Sequence, residues 1–315
     1  MSKFKTFIQI LKTDRKLIPQ LCVNNLCEKK LLNWMPDTAF LKLRYWTFFG
    51  EKLNLKNPKT FNEKLQWLKL YDRDPKYVEF VDKQAVKAYI AEKIGEQYVI
   101  PTLGTWRSVD EIDIDALPEQ FVLKCNHDSG SVVVCRDKAT FDWEAAKQKL
   151  QKKLTGNLFW FGREWPYKNV KPCIMAEAYM EDENQKQGLT DYKFYCFNGE
   201  PKFLYVSMGL ENHATASISF LNMDWTMAPF RRMDFAPLDT CPEKPKNYEQ
   251  MVQFAKKLSK GIPFLRVDMY EIGGKLYFSE LTFHPSSGFT PFVPKEWDEA
   301  IGSWLELPME ENRPS

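Results

Sequence analysis

Two carboxylates on neighbouring strands can hold a divalent ion against phosphate groups, and Asp268 and Glu280 stand in a stretch built to supply that arrangement. In FLRVDMYEIGGKLYFSELTFHPSSGFTPF, residues Phe264–Ile272 are rich in β-branched and aromatic types, Gly273-Gly274 is a turn signal, and Lys275–Phe283 resumes the strand pattern. Register decides the chemistry. A plain two-residue loop sets Asp268 opposite residue 279 and sends the two carboxylates to opposite faces. A three-residue loop or a bulge sets Asp268 opposite residue 278 and gathers Arg266, Asp268 and Glu280 on one face, where hard oxygen ligands hold Mg²⁺. The competing reading is a pair of solvated strand carboxylates.

Other stretches carry chemistry of their own. Lys124 closes the strand-like FVLK and opens Cys125–Ser131, a run of small residues whose backbone N–H groups suit phosphates while the lysine supplies a point charge. A hairpin tip is the alternative. Arg231-Arg232, together with Trp160 and Trp165 of an aromatic tract, suit an acidic glycan, since guanidinium groups pair with carboxylates and indoles stack on sugars. Surface charge and core packing are the plainer reading. Asp72-Arg73-Asp74 forms a DxD pattern of the kind that holds a metal and a nucleotide sugar in a glycosyltransferase, or else a capped turn before Pro75. His127, Asp128 and Ser131 lie too close in sequence to aim at one another as a hydrolase triad, and no nucleophile elbow is present.

The elements that must position these residues follow from periodicity. Thr60–Tyr71, Tyr77–Ile94 (stopped by Gly95), a helix capped by Asp142 and running to Leu154, and Asn247–Lys260 are the expected helices. Expected strands are Tyr98–Pro101, Phe121–Cys125, Val132–Cys135, Cys173–Tyr179, Tyr192–Phe197 and Lys202–Met208, with a hairpin turn at Asn198-Gly199 and a loop over the aromatic tract. Separate helices and sheets make an α+β chain. The 315 residues, 44% hydrophobic, suffice for a large core in two or more lobes. With 44 basic and 42 acidic residues the balance argues against a nucleic-acid binder. Seven cysteines without CxxC and three histidines suggest neither a disulfide framework nor zinc, and no apolar run approaches a membrane span, so a cytoplasmic location is expected. Residues 1–44 carry nine basic and three acidic side chains among regularly spaced apolar ones, which suits either a peripheral contact with an anionic bilayer or a helix packed on the body.

Taken in order, Asp82-Lys83, Lys124 with its loop, Ile174–Met180, Asp191-Tyr192-Lys193, Arg266-Val267-Asp268 and Glu280-Leu281-Thr282 resemble the ATP-grasp superfamily from about residue 76 to 295. More narrowly, DKQAVKAYIAEKIG, FVLKCNHDSGS, REWPYKNVKPCIMAEAYM, DYKFYCFNGEPK and LRVDMYEIGGKLYFSELTF are similar to the TupA-like ATP-grasp family, associated with bacterial surface polysaccharides. The resemblance implies two α+β lobes clamping ATP and Mg²⁺: residues 76–170 with a phosphate lid and 171–315 with the metal hairpin, behind a helical extension over 1–75. It assigns Lys83 and Lys124 to the phosphates, with Gly130 and Ser131 in the lid. Glu177, Tyr179 and Met180 fall on the adenine hinge, Glu181 or Glu183 reaches the ribose, and Lys193 is a further nucleotide-facing cation. Asp268 and Glu280 are the metal carboxylates, Thr282 occupies the position of the usual asparagine, and Arg266 steadies an acyl phosphate. A threonine hydroxyl is a weaker oxygen ligand than an amide, and the helical start replaces the nucleotide-fold lobe common before such modules.

The activity implied is an ATP- and Mg²⁺-dependent ligase that amidates a sugar carboxylate, such as a hexuronic acid of a glycan precursor, with an amine or amino acid. Carboxylates react poorly with amines, and phosphorylation supplies the missing leaving group. Glycosyl transfer and a non-catalytic, membrane-associated assembly factor are the rival readings.

Overall fold

The computed structural model describes residues 17–182, 189–209 and 216–308. Its architecture is set by two antiparallel sheets that face one cleft. Helix α1 (Ile18–Glu28), α2 (Asp37–Phe49) and α3 (Phe61–Tyr71) come first, and the described part of residues 17–75 holds no strand. Thr60 starts α3 with a reciprocal cap, its side chain accepting from the Glu63 amide while Glu63 accepts from the Thr60 amide. Phe40, Leu41 and Tyr45 of α2 bury with Val23 and Cys27 of α1, and Phe289 from the far end of the chain joins them.

The expected helix over Tyr77–Ile94 is two helices, α4 (Lys76–Val81) and α5 (Val86–Ile94). Asp82 causes the break: its backbone turns extended at ψ 108° and its carboxylate accepts from the amides of Gln84 and Ala85, at 2.9 and 3.1 Å. No strand covers Tyr98–Pro101, where Val99 makes one isolated bridge to Phe278. The strand starts instead at Thr102. Strands β1 (Thr102–Trp106), β2 (Phe121–Cys125), β3 (Val133–Cys135) and β4 (Ile174–Ala178) form a sheet in the order β1-β4-β2-β3. Helix α6 (Trp143–Leu154), capped by Asp142, buries Ala146 and Leu150, and Leu150 joins the core with Phe121 and Leu123. The aromatic tract, expected as a loop, contains a short helix α7 (Leu158–Gly162) and a 3₁₀ turn over Trp165–Asn169. Arg163 between them is held over the Phe159, Trp160 and Phe40 rings.

Strands β5 (Asp191–Phe197), β6 (Glu200–Met208), β7 (Ser217–Asn222), β8 (Phe264–Ile272) and β9 (Lys275–Thr282) form the second sheet, in the order β7-β6-β5-β8-β9. Asn198 and Gly199, both at positive φ (49° and 86°), close the β5–β6 hairpin as the sequence leads one to expect. One face of the sheet packs on α8 (Tyr248–Ser259) through Met251, Ala255 and Leu258. The other is aromatic at one end, under α3 and α9 (Glu296–Ser303), and charged at the end nearer the cleft. The arrangement is an α+β ATP-grasp-type clamp, as the resemblance implies.

Candidate functional site

The β8–β9 hairpin turns through Gly273 and Gly274, both left-handed (φ 56° and 75°), and pairs Ile272 with Lys275, an ordinary two-residue loop. The required shift comes later. Met269 faces Phe278 and Asp268 faces Glu280, so Ser279 is the extra residue of a bulge. A bulge was one of the expected devices, but it sets Asp268 opposite Glu280 and not opposite residue 278, because the surplus residue lies on β9.

Residues directly opposed across antiparallel strands share a face. The pairings therefore lay out rows across the sheet. Glu280, Asp268, Lys193 and Tyr205 form one, and Thr282, Arg266, Tyr195 and Phe203 the next. Asp268 is wholly buried at their centre. Its Oδ1 accepts from Arg266 Nε at 2.7 Å, and its Oδ2 accepts from Arg266 Nη2 at 2.6 Å and Lys193 Nζ at 2.9 Å. Burial pushes the Asp268 carboxyl up, but these two cations outweigh it and hold the group below the usual carboxylate range. Arg266 Nη2 also donates to Thr282 Oγ1 at 2.9 Å, and Lys193 reaches Asp191 at 3.0 Å. Burial raises Asp191, against the pull of Lys193.

Three lysines line the cleft beside these rows, one from the smaller sheet and two from α5 and the break before it. Lys83 comes out of the break between α4 and α5, where its amide donates to the Asn126 carbonyl, and its Nζ donates to the Asp128 carbonyl at 2.7 Å and lies 3.5 Å from Glu280 Oε1. A continuous helix would not permit that backbone pairing. Lys124 on β2 and Lys87 on α5 converge on Glu177 of β4, at 2.5 and 2.7 Å. Burial raises the Glu177 carboxyl, and Lys124 and Lys87 more than reverse it. Lys87 is lowered by burial, with Glu177 opposing. Lys87 is absent from the sequence-derived set; the signal for it was its place one helical turn after Lys83. Glu177, expected on the adenine hinge, has a side chain that is the acid between two lysines. A cleft of about 340 Å³ lies here, lined by Lys83, Lys87, Lys124, Glu177, Tyr179, Met180, Asp191 and Tyr270.

In the Cys125–Ser131 loop, Gly130 takes the left-handed φ of 82°. Ser131 is spent within the loop, accepting from the Cys125 amide at 2.8 Å and donating to Asp128 at 2.5 Å. Tyr179 accepts from Arg136 Nε at 2.9 Å. Glu181 is described, and Glu183 lies outside the described residues, as do residues 1–16 of the basic first segment. Asp72 accepts from the Tyr77 hydroxyl at 3.3 Å and Asp74 from the Lys76 amide at 2.9 Å, so the DxD triplet forms a capped turn. Trp160 lies against Arg163, which donates to the Leu32 and Met35 carbonyls, whereas Arg232 is held along one edge by Asp234.

The donor set fits a divalent ion shared with phosphates and not one held by protein alone. Among the described residues no group of three or more His, Cys, Asp or Glu side chains stands ready to enclose a metal. Glu280 is 31% exposed and makes one loose ion pair with Lys83, whereas the buried Asp268 already accepts three hydrogen bonds from Arg266 and Lys193. Mg²⁺ commonly takes one or two carboxylates and completes its shell with phosphate and water. No described helix is long and apolar enough to cross a membrane.

A family model described as TupA-like ATPgrasp matches residues 63–306. No curated protein matches. Among solved structures, the chain is similar to a D-alanine–D-alanine ligase from Bacillus anthracis complexed with ATP, at 15% identity and TM-score 0.37 over 65% of this chain. It spans 55% of that ligase. Similar too are a D-alanine–D-alanine ligase from Helicobacter pylori (15%, TM-score 0.42, covering 78% of this chain and 69% of that one) and a RimK domain ATP-grasp protein from Sphaerobacter thermophilus (12%, 0.40, 75% and 70%).

Proposed function

Because the chain belongs to the TupA-like ATP-grasp family, we propose that it is an ATP- and Mg²⁺-dependent ligase joining a sugar carboxylate, a hexuronic acid of a glycan precursor, to an amine or amino acid. The observation that carries the reading is the row Glu280–Asp268–Lys193, with Arg266 beside it, facing Lys83 and the Lys87–Glu177–Lys124 cluster. Two acids for a metal and several cations for phosphates meet at one cleft between two sheets. The hexuronic acid itself rests on the family's association with surface polysaccharides.

In this reading the substrate carboxylate attacks the γ-phosphorus of ATP, the bond to the β–γ bridging oxygen breaks, and ADP leaves. The amine then attacks the acyl carbon, phosphate departs, and the nitrogen loses a proton as the amide forms. Lys83 and Lys124 neutralise the phosphates, Glu177 and Met180 meet the adenine edge through their backbones, and Lys193 and Arg266 face the transferring group. Bound Mg²⁺ would be held by Glu280 and Asp268, with Thr282 alongside, and would offset charge on the transferring phosphoryl group. With Asp268 holding the ion, Lys193 would be free to neutralise phosphate charge. The closed sheets exclude water that would hydrolyse the acyl phosphate.

Product analysis tests the proposal. ADP, phosphate and an amide in equal amounts support the ligase, and a nucleoside diphosphate released from a sugar donor, with ATP intact, refutes it. Neither product would leave the assembly-factor reading standing.

A further inference from the structure

Asn126 follows the last residue of β2 and is 1% exposed, and its side chain uses every hydrogen-bonding position that an amide has. Its Nδ2 donates to Asp82 Oδ2 at 2.9 Å and to the Lys171 carbonyl at 3.1 Å. Its Oδ1 accepts from the Cys173 amide at 2.8 Å and lies 3.1 Å from His127 Nδ1. The Cys173 amide only donates and the Lys171 carbonyl only accepts, so the two ends of the amide cannot be exchanged.

The main chain explains why this position needs such a side chain. Strands β2 and β4 pair Lys124 with Met175 and Cys125 with Ile174, and the next rung is Asn126 with Cys173. A regular antiparallel rung of this kind exchanges two backbone bonds. Only one is made here between backbones, from the Asn126 amide to the Cys173 carbonyl at 3.1 Å. The returning bond from the Cys173 amide ends on Asn126 Oδ1, which frees the Asn126 carbonyl to accept from the Lys83 amide at 3.0 Å. Asn126 Nδ2 meanwhile holds one oxygen of Asp82, whose other oxygen accepts from the Gln84 and Ala85 amides. Both residues of the break between α4 and α5 are thereby fastened to one asparagine.

Lys83 leaves that break with its Nζ 2.7 Å from the Asp128 carbonyl and 3.5 Å from Glu280. Asn126 does not line the nucleotide cleft; it borders a separate cavity of about 410 Å³, together with Asp82, Lys171 and Cys173. We propose that Asn126 is a positioning residue for ATP binding: its side-chain oxygen replaces its own carbonyl in the β2–β4 ladder, and the freed carbonyl, with Asp82, aims Lys83 at the phosphates. The inference rests on the reading of Lys83 as a phosphate cation and gives Asn126 no contact with nucleotide. Aspartate would not serve. Its carboxylate keeps the bond from Cys173 but faces Asp82 and the Lys171 carbonyl without a donor.

The test is calorimetric titration of the full chain with Mg²⁺ and a non-hydrolysable ATP analogue. Wild type is expected to bind. Asn126→Asp sets a second carboxylate against Asp82, and affinity falls at least about tenfold while the melting transition stays cooperative. Adding Asp82→Asn restores a donor and an acceptor between the two positions and regains most of the loss. In a Lys83→Ala background, Asn126→Asp changes affinity by less than about twofold, because residues that act as one unit are not additive. Wild-type affinity in a folded Asn126→Asp, a double variant no tighter than Asn126→Asp, or a full loss repeated without Lys83 each overturns the positioning role while leaving the proposed function untouched. If Asn126→Asp does not fold, Asp82→Asn alone carries the test, since it opposes two amides with one contact mismatched: weakened binding is expected, and wild-type affinity overturns the role. A folded wild-type protein that binds no analogue overturns the ATP reading, and the positioning role with it.

Discussion

Asp268 and Glu280 stand directly opposite each other on β8 and β9, and they do so only because Ser279 is bulged out between Glu280 and Phe278. Deleting Ser279 removes the surplus residue and leaves Glu280 next to Phe278, so the pair stays opposed in a regular ladder. The fold should survive, since Ile272–Lys275 through Met269–Phe278 keep their pairing. Mg²⁺ should then strengthen ATP binding as it does in the parent, to within about threefold. Loss of the Mg²⁺ dependence in a folded deletion variant would show that the opposition of these carboxylates is not what matters.

Glu177 holds Lys87 and Lys124 in the absence of nucleotide. Glu177→Gln leaves two lysines facing one another without their acid, which should destabilise the protein by about 3 kcal/mol, as breaking a buried pair does. Mg·ATP should restore more of the melting temperature than it adds to wild type, because phosphate replaces the missing charge. Lys124→Ala should weaken ATP binding by about 1.5–3 kcal/mol, the worth of a charge-assisted contact. Thermal melts with and without Mg·ATP and a nucleotide titration read both effects.

Lys69 tests the buried packing beneath the site. Its ammonium donates to Gln66 Oε1, the Gly162 carbonyl and the Ser287 carbonyl at 2.9, 2.7 and 2.7 Å, tying α3 to the turn that follows β9. Burial lowers its pKa to about 7, with Glu164 opposing. The unfolded chain therefore binds the extra proton between pH 7 and the unfolded value of 10.5, so the penalty is full below pH 7 and is relieved as pH rises through that window. The contribution amounts to roughly 1.4 kcal/mol per pH unit. Chemical denaturation of wild type and Lys69→Met from pH 7 to 10 checks it: the difference between their slopes should be positive, and parallel profiles would show that Lys69 keeps its proton.

The glycosyltransferase reading turns on Asp72. Since Asp72 is spent on Tyr77 and Asp74 on the Lys76 amide, Asp72→Asn should leave ATP turnover and metal dependence within about twofold, the range of an ordinary surface change. Loss of activity without loss of fold would return the triplet to the chemistry.

What was legible in the chain was local. The hairpin showed itself through alternation and Gly273-Gly274, the β2 lysine through its small-residue loop, and Asp268 and Glu280 through their places on the two strands. What was not legible came from distant partners. The helix break at Asp82 depends on Asn126, whose side chain donates to Asp82 at 2.9 Å and whose carbonyl takes the Lys83 amide. Lys87 has no meaning until β4 brings Glu177 to it. Strand β7 escaped because a short polar-flanked run, SISFLN, gains its pairing only from β6. The bulge direction at Ser279 likewise follows from strand pairing and not from the turn residues.

Whether Asp268 and Glu280 serve a metal in carboxylate-dependent ATP cleavage is tested most directly by ADP release from Glu280→Gln at saturating Mg²⁺, ATP, hexuronate and amine. Glu280 is partly exposed and makes one loose ion pair, 3.5 Å from Lys83, so the substitution should spare the fold. Release should fall by at least about a hundredfold, the scale for losing one charge-stabilising group. A folded Glu280→Gln that releases ADP at the wild-type rate would contradict the account.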